Sequence, residues 1–496
     1  MHRTYSKRSD SRFPATTFRA LACALLMFGF LASAAFAEDW PKFGKDLAND
    51  SHSAEGGISS KNVTSLQSKW TFNSGSEISV TPVIATIAGK HVAYFGSWSG
   101  VFYAVDAVSG TQLWTFTVDY VGGKCVSTPT TYCRIGSTAA VDVANNLVFF
   151  GCYNGYLYAV NATTGKLVWK VLTGDSIVDG YEVWASPAVY NGMVLIGTSS
   201  HGDRPCVENA AVNAYNEQTG QTVWSLPTLD QNTCPGGGGC TGSSVWSSLA
   251  VDDVNGIVFA GTGNPGSTCT PPTQNAGLYP DSVLAINANT GQLLNYFQAV
   301  QNDNSDLDFG ASPILHSTGA VDQCTNQQSL QYWVSEPSKN GNLYTLRRNA
   351  SGLTGTPQQN VAGHTGEGVI ATPAALPASI SKSCGPNKKL VQYVDGIFTV
   401  AVGGNFYVFQ QVPGGKVTPR ASQTMSDAFY GQPVTIQDIS LFAGTDGTLY
   451  ASDYNGKILN TIALGSPAYG GVSISNGRVY LGTKDGVIHC FSINGK

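Results

Sequence analysis

Three carboxylates fall within six residues at Asp303-Asn304-Ser305-Asp306-Leu307-Asp308. So close together they repel one another, and the stretch must either be held by a cation and hydrogen bonds or stay in solvent. Ten of the eleven cysteines lie beyond residue 37, an even number that favours disulfides over metal ligation in an oxidising compartment. Cys125 with Cys133 and Cys234 with Cys240 close the shortest loops. The Pro235-Gly236-Gly237-Gly238-Gly239 run inside the second loop reads as a flexible tip, because the lysine and helix of a phosphate-binding loop do not follow it. No HExxH zinc helix and no GxSxG elbow occurs. No Cys-x-x-Cys-His occurs either, which excludes an attached c-type haem. The seven histidines leave Ser-His-Asp chemistry open without singling it out.

The elements that must position these groups are written in a repeat. GVFYAVDAVSGTQLWTF from Gly100, GYLYAVNATTGKLVWK from Gly155 and AAVNAYNEQTGQTVWSL from Ala210 place Trp114, Trp169 and Trp224 at 55-residue intervals, and Gly110, Gly165 and Gly220 likewise. Each copy is β grammar: a strand-length run of β-branched and aromatic residues, a Gly-containing turn, then a second strand. Looser copies begin at Asp281, Asn340, Gly403, Asp446 and Asp485, making eight. Such units cannot each bury their own faces, and radial packing into an all-β, eight-bladed propeller of four-stranded antiparallel blades solves this, a solenoid being the alternative. The last copy stops at Asn494-Gly495-Lys496 where its outermost strand is due, while Leu66 to Phe72 is an outermost strand with no unit before it. Joined, they close the ring. Trp70, Trp114, Trp169 and Trp224 then read as packing anchors between blades.

Arg3, Lys7, Arg8, Arg12 and Arg19 precede an apolar run from Ala20 that ends in Ala35-Phe36-Ala37, the layout of a signal peptide cleaved after Ala37. The expectation is a periplasmic or secreted protein, with residues 1–37 removed, residues 38–496 forming one propeller domain, and no stable membrane insertion. Beyond residue 37, 22 Lys and Arg face 31 Asp and Glu, about −9 in all, which argues against nucleic acid as a partner. Only 12% of the chain is charged, consistent with a turn-rich exported β protein.

The AVDAVSGTQLW and AVNATTGKLVW segments resemble the blade signature of the eight-bladed quinoprotein alcohol dehydrogenases, whose cofactor is pyrroloquinoline quinone. DWPKFGKDLANDSHS with NVTSLQSKWTF looks like the polyvinyl alcohol dehydrogenase branch. Carried over residue by residue, the resemblance makes Trp246 the floor on which the quinone lies and gives Asn264, in Gly261-Thr262-Gly263-Asn264-Pro265, to a calcium ion. Asp306 becomes the base that takes the alcohol proton and a further calcium ligand, with Asp308 second and Asp303 a loop support. Lys339 reaches the quinone oxygens, and Arg134 and Ser199 join the cofactor contacts. Two departures stand out. One cysteine, Cys133, occurs where the family has an adjacent pair, and His201-Gly202-Asp203 replaces the segment carrying a glutamate ligand, leaving Asp203 to substitute. The implied function is oxidation of an alcohol, polymeric or secondary, with electrons passed to a separate acceptor such as a soluble cytochrome c. The other reading is a non-catalytic propeller that binds a ligand or a protein.

Overall fold

The computed structural model describes residues 38–496 apart from 120–133, 175–180, 201–209, 229–241, 266–278, 302, 304, 323–326, 362–370, 377–390, 394–395, 402–404, 412–415 and 426–427. The signal-peptide reading and the two short-loop cysteine pairs lie outside these residues. Among the described residues eight sheets, each built on four antiparallel strands, follow one another along the chain and form the blades; Val391–Tyr393 adds a fifth strand to blade five, His52–Ser53 a parallel fifth strand to blade seven, and Tyr181–Glu182 pairs with Ser199–Ser200 in a separate two-stranded sheet. Blades one to seven take their four strands from residues 83–117, 140–172, 188–227, 250–298, 314–361, 374–424 and 434–463 in turn. Blade eight combines Ser473–Ser475, Arg478–Gly482 and Val487–Ile493 with Leu66–Asn73 as its outermost strand. Trp70 pairs with Cys490 and Leu66 with Ile493 across that seam, and the Asn494 amide donates to Ser65 at 2.8 Å. The ring closes as the sequence predicts.

The repeated tryptophan and glycine belong to one contact. Each outer-strand indole lies under the turn of the next blade, where glycine has φ near +70° and no room for a side chain. A Cβ on Gly165 would meet Trp114 at 2.5 Å, and one on Gly220 would meet Trp169 at 2.8 Å. The indole N–H donates onward, Trp114 to the Ala162 carbonyl at 3.0 Å and Trp224 to the Ala288 carbonyl at 2.9 Å. Where asparagine replaces tryptophan the link is kept in polar form: Asn295 donates to the Leu353 carbonyl and accepts from its amide, and Asn460 donates to the Val63 carbonyl.

A second tie runs around the channel. At the entry to each inner strand a hydroxyl accepts the backbone N–H of the preceding blade: Thr81 to Thr138, Thr138 to Ser186, Ser186 to Ser248, Ser248 to Ser312, and Ser312 to Thr372, all between 2.8 and 3.1 Å. Gln432 continues the chain through the Pro373 carbonyl and the Val472 amide, and the Gly471 amide returns it to Thr81. These amides have no ladder partner inside their own blade, so the neighbour satisfies them.

Residues 38–55 lie along the opposite end of the channel. Ser475 donates to the Glu38 carbonyl, Trp40 pairs with Ile84, and the amides of Val141, Val251, Leu315, Ala375 and Thr435 donate to Pro41, Leu47, Ala48, Asp50 and Ser51. This segment thus touches blades eight, one, two, four, five, six and seven. Its turn is held by the buried Lys42 ammonium, which donates to the Phe43 and Asp46 carbonyls and to Asn49 Oδ1 at 2.5 to 2.6 Å. A cavity of about 820 Å³ lies beside it, lined by Asp46, Asp50, Asp252 and Arg348 among others. Cys490 is a buried free thiol in the core of blade eight, which corrects the expectation that all ten cysteines pair.

Candidate active site at one end of the channel

Trp246 stands just before the inner strand of blade four, and Asn264 follows that blade's second strand. The two are locked together because the Gly263 amide donates to the Ser244 carbonyl at 2.8 Å and the Ser243 amide to the Asn264 carbonyl at 2.6 Å. Asp306 and Asp308 come from the loop between blades four and five. Asp303 supports that loop as expected, its carboxylate accepting the amides of Ser305 and Leu307 at 2.8 and 2.7 Å. Asp306 has φ of +59°, a left-handed conformation that aspartate tolerates better than most residues. Lys339 sits in the turn after Gln327–Ser338, tied to the same loop by its amide to the Asp308 carbonyl.

The side chains converge. Lys339 Nζ donates to Asp306 Oδ1 at 2.6 Å and lies 2.9 Å from Asp308 Oδ1. Asn264 Nδ2 donates to Asp306 Oδ1 at 2.8 Å, and Trp246 Nε1 to Asp308 Oδ2 at 3.1 Å. The ammonium also stands 5.0 Å from the centre of the Trp246 ring, within cation–π range. The two aspartates respond differently. Burial pushes Asp308 up to about 6 against the pull of Lys339. Burial acts the same way on the more exposed Asp306, but the hydrogen bonds from Lys339 and Asn264 outweigh it and hold that carboxyl below its ordinary range. Lys339 is kept above its ordinary value because Asp308 and Asp306 overcome the cost of its burial.

Sequence reasoning missed Glu336, a fully buried carboxyl against Gly261 that has no hydrogen-bond partner among the described residues. Burial first and Asp308 second push it far above its ordinary value. The site sets the one Lys339 ammonium against the carboxyls of Asp306 and Asp308. The oxygens of Asn264 and Asp306 are hard donors of the kind calcium takes, and the half-buried Trp246 ring offers a flat face, so these residues fit a planar quinone and a hard cation. Among the described residues no three His, Cys, Asp or Glu side chains cluster as a metal site.

The structure brings Trp246, Asn264, Asp306 and Lys339 together. Ser199 is one contact further out, its buried Oγ accepting the Trp184 amide at 3.3 Å, and Trp184 meets Trp246 edge to face. Arg134 holds its guanidinium 4.2 Å over the Trp98 ring, and its carbonyl accepts the Tyr153 amide at 2.9 Å. Asp203 lies outside the described residues.

An eight-bladed propeller carrying an acid–lysine–tryptophan cluster at one end of its channel defines a class of fold and site. The chain belongs to the PQQ family described as glucose/ethanol/alcohol dehydrogenase, β-propeller domain, whose model matches residues 40–374. It is 29% identical over 271 residues to the quinoprotein alcohol dehydrogenase PedH of Pseudomonas putida strain KT2440, covering 50% of this chain and 44% of that one. It is 24% identical over 350 residues to a polyvinylalcohol dehydrogenase of a Pseudomonas species, covering 64% and 52%. The solved quinohemoprotein alcohol dehydrogenase from Comamonas testosteroni superposes with a TM-score of 0.71 at 18% identity over 92% of this chain and 81% of that one, a likeness of fold. The chain spans about half the length of the two curated relatives. Among the described residues no helix is long and apolar enough to cross a membrane.

Proposed function

We propose that this protein is an exported quinoprotein dehydrogenase that oxidises an alcohol, secondary or polymeric, with pyrroloquinoline quinone and calcium, and passes the electrons to a separate acceptor. The observation that carries the reading is the junction at Asp306, where Lys339 and Asn264 both donate to one carboxylate oxygen beside the Trp246 face. Pyrroloquinoline quinone, when bound, supplies the hydride acceptor, and calcium supplies Lewis acidity. Everything else falls to the chain. Trp246 holds the flat ring system, and its N–H fixes Asp308. Asp306, kept ionised by its two donors, takes the proton of the alcohol hydroxyl as general base. Lys339 steadies that carboxylate and is placed to meet negative charge developing beside it. Asn264, Asp306 and Asp203 are the proposed calcium ligands, while Arg134 and Ser199 are proposed to meet the outer parts of the cofactor.

The test is reconstitution. Purified protein mixed with pyrroloquinoline quinone and calcium should gain a bound chromophore and reduce an artificial electron acceptor when given 2-butanol. Asp306→Asn should lower turnover by at least about a hundredfold while keeping the chromophore, in line with the loss of a general base. Trp246→Ala should instead weaken quinone binding first. A wild-type protein that binds no quinone at millimolar calcium rules the reading out.

A further inference from the structure

Trp184 and Trp246 occupy the same station in successive blades. Val183-Trp184-Ala185-Ser186 opens blade three as Val245-Trp246-Ser247-Ser248 opens blade four, and in both the buried valine's amide donates to the blade before it, Val183 to the Cys152 carbonyl at 3.2 Å and Val245 to the Thr198 carbonyl at 3.0 Å. Both indoles are half-buried. Their centroids are 6.3 Å apart and their planes cross at 88°, so together they make a corner. Tyr153 backs the corner from blade two, stacked on Trp184 at 5.1 Å and 13°. Gly136 makes that possible, since a Cβ there would lie 2.7 Å from the tyrosine ring and hydroxyl.

The charged groups reach Trp246 from the other direction. Asp306, Asp308 and Lys339 belong to blade five and the loop before it, whereas Trp184 and Tyr153 belong to blades three and two. A substrate whose reacting carbon lies at Asp306 must therefore extend its remaining part either away from the walls or along the two stacked rings. The Trp184 ring, half-buried and stacked on Tyr153, is apolar area that a hydrocarbon would cover.

We propose that Trp184, backed by Tyr153, is a second aromatic wall of the site that selects alcohols bearing an extended hydrocarbon substituent over short or heavily hydroxylated ones. This rests on the reading that the site oxidises an alcohol. Covering the wall with one more methylene is worth about fourfold in affinity. Trp184 is a specificity-determining residue in this scheme, and Tyr153 a positioning one that keeps its plane upright.

Two measurements test it. In reconstituted enzyme, kcat/KM across 2-butanol, 2-hexanol and 2-octanol should rise by about fourfold per methylene, carried by KM, until the chain leaves the wall. Trp184→Ala should flatten the series to below about twofold per methylene, and Trp184→Phe, which keeps a ring, should retain most of the slope. Without turnover, calorimetric titration of the same proteins lacking quinone with 2-butanone, 2-hexanone and 2-octanone should show the same chain-length dependence and the same loss in Trp184→Ala. Failure of wild type to oxidise any of the alcohols sinks the dehydrogenase reading, and the ketone series still decides the wall. A wild-type series with no chain-length dependence, or a Trp184→Ala protein that melts as wild type and keeps the slope, overturns the proposal. If Trp184→Ala fails to fold, Tyr153→Ala carries the comparison: it should lower the slope by removing the ring that holds Trp184 upright, and a slope unchanged from wild type overturns the proposal.

Discussion

At Lys339 one side chain serves two carboxylates of different character, and that asymmetry is open to measurement. Replacing it with methionine leaves Asp308, 2% exposed, without its cation. The expected loss is about 3 kcal/mol of stability above pH 7, the usual scale for breaking a buried pair. The loss should shrink below pH 6. Asp308 is a group raised to about 6, so its contribution is whole below the ordinary aspartate range near 4 and disappears as pH rises through 6. Without Lys339 that upper limit moves higher still. Chemical denaturation of Lys339→Met at pH 5 and pH 8 checks the sign: the wild-type advantage must be larger at pH 8. The residues at this site were legible in part. The three carboxylates announced an unsolved charge problem, and the resemblance pointed to Asp306 and Lys339. Glu336 was invisible, because a single glutamate inside a strand looks solvent-facing until the fold presses Gly261 against it. Trp184 was legible in principle, since its four residues repeat those around Trp246, but without the ring there was no reason to compare the two stretches.

Among the elements, the blade turn tests whether a glycine is there for its φ or for its neighbour. Gly192 and Gly220 both have φ above +70°, but a Cβ on Gly192 would meet nothing within 4 Å whereas one on Gly220 would strike Trp169. Gly192→Ala should cost about 1 kcal/mol, the penalty of a left-handed alanine. Gly220→Ala should cost about twice that or more, and Trp169→Ala about 3–5 kcal/mol, as for other buried aromatics. Thermal melts of the three variants should rank in that order, and a Gly220→Ala protein as stable as Gly192→Ala refutes the interlock. The 55-residue recurrence marked the tryptophans as anchors between blades, but that each packs on the glycine turn of the next blade is seen only in the fold. The ring of hydroxyls went unread. Thr81, Thr138, Ser186, Ser248, Ser312 and Thr372 recur one per blade, but serine and threonine before a strand are so common in turns that only the cross-blade bonds give them meaning. Ser248→Ala should cost about 1–2 kcal/mol by leaving the Ser186 amide unpaired.

For the whole molecule, the segment from Glu38 to Glu55 makes stability depend on pH away from the site. Burial, with Asp46 beside it, raises Asp50 to about 7. A carboxyl raised in the folded state favours folding fully below pH 4, and that advantage is lost as pH rises through 7. Asp50→Asn should therefore flatten the fall in melting temperature between pH 4 and pH 8 and be stabilising relative to wild type at pH 8. A melt that is more pH-dependent in the variant refutes this. The closed ring was foreseeable from the two unmatched chain ends, but the inner lining was not, because its bonds fall one to a blade and leave no local pattern. The same geometry also sets a schedule for synthesis. Glu38 is bonded to Ser475, 437 residues later, and Trp70 waits for Cys490. Glu38 and Trp70 thus find these partners only after residues 475 and 490 have been made, and until then the nascent chain must carry two unpaired sheet edges, each a template for the wrong partner.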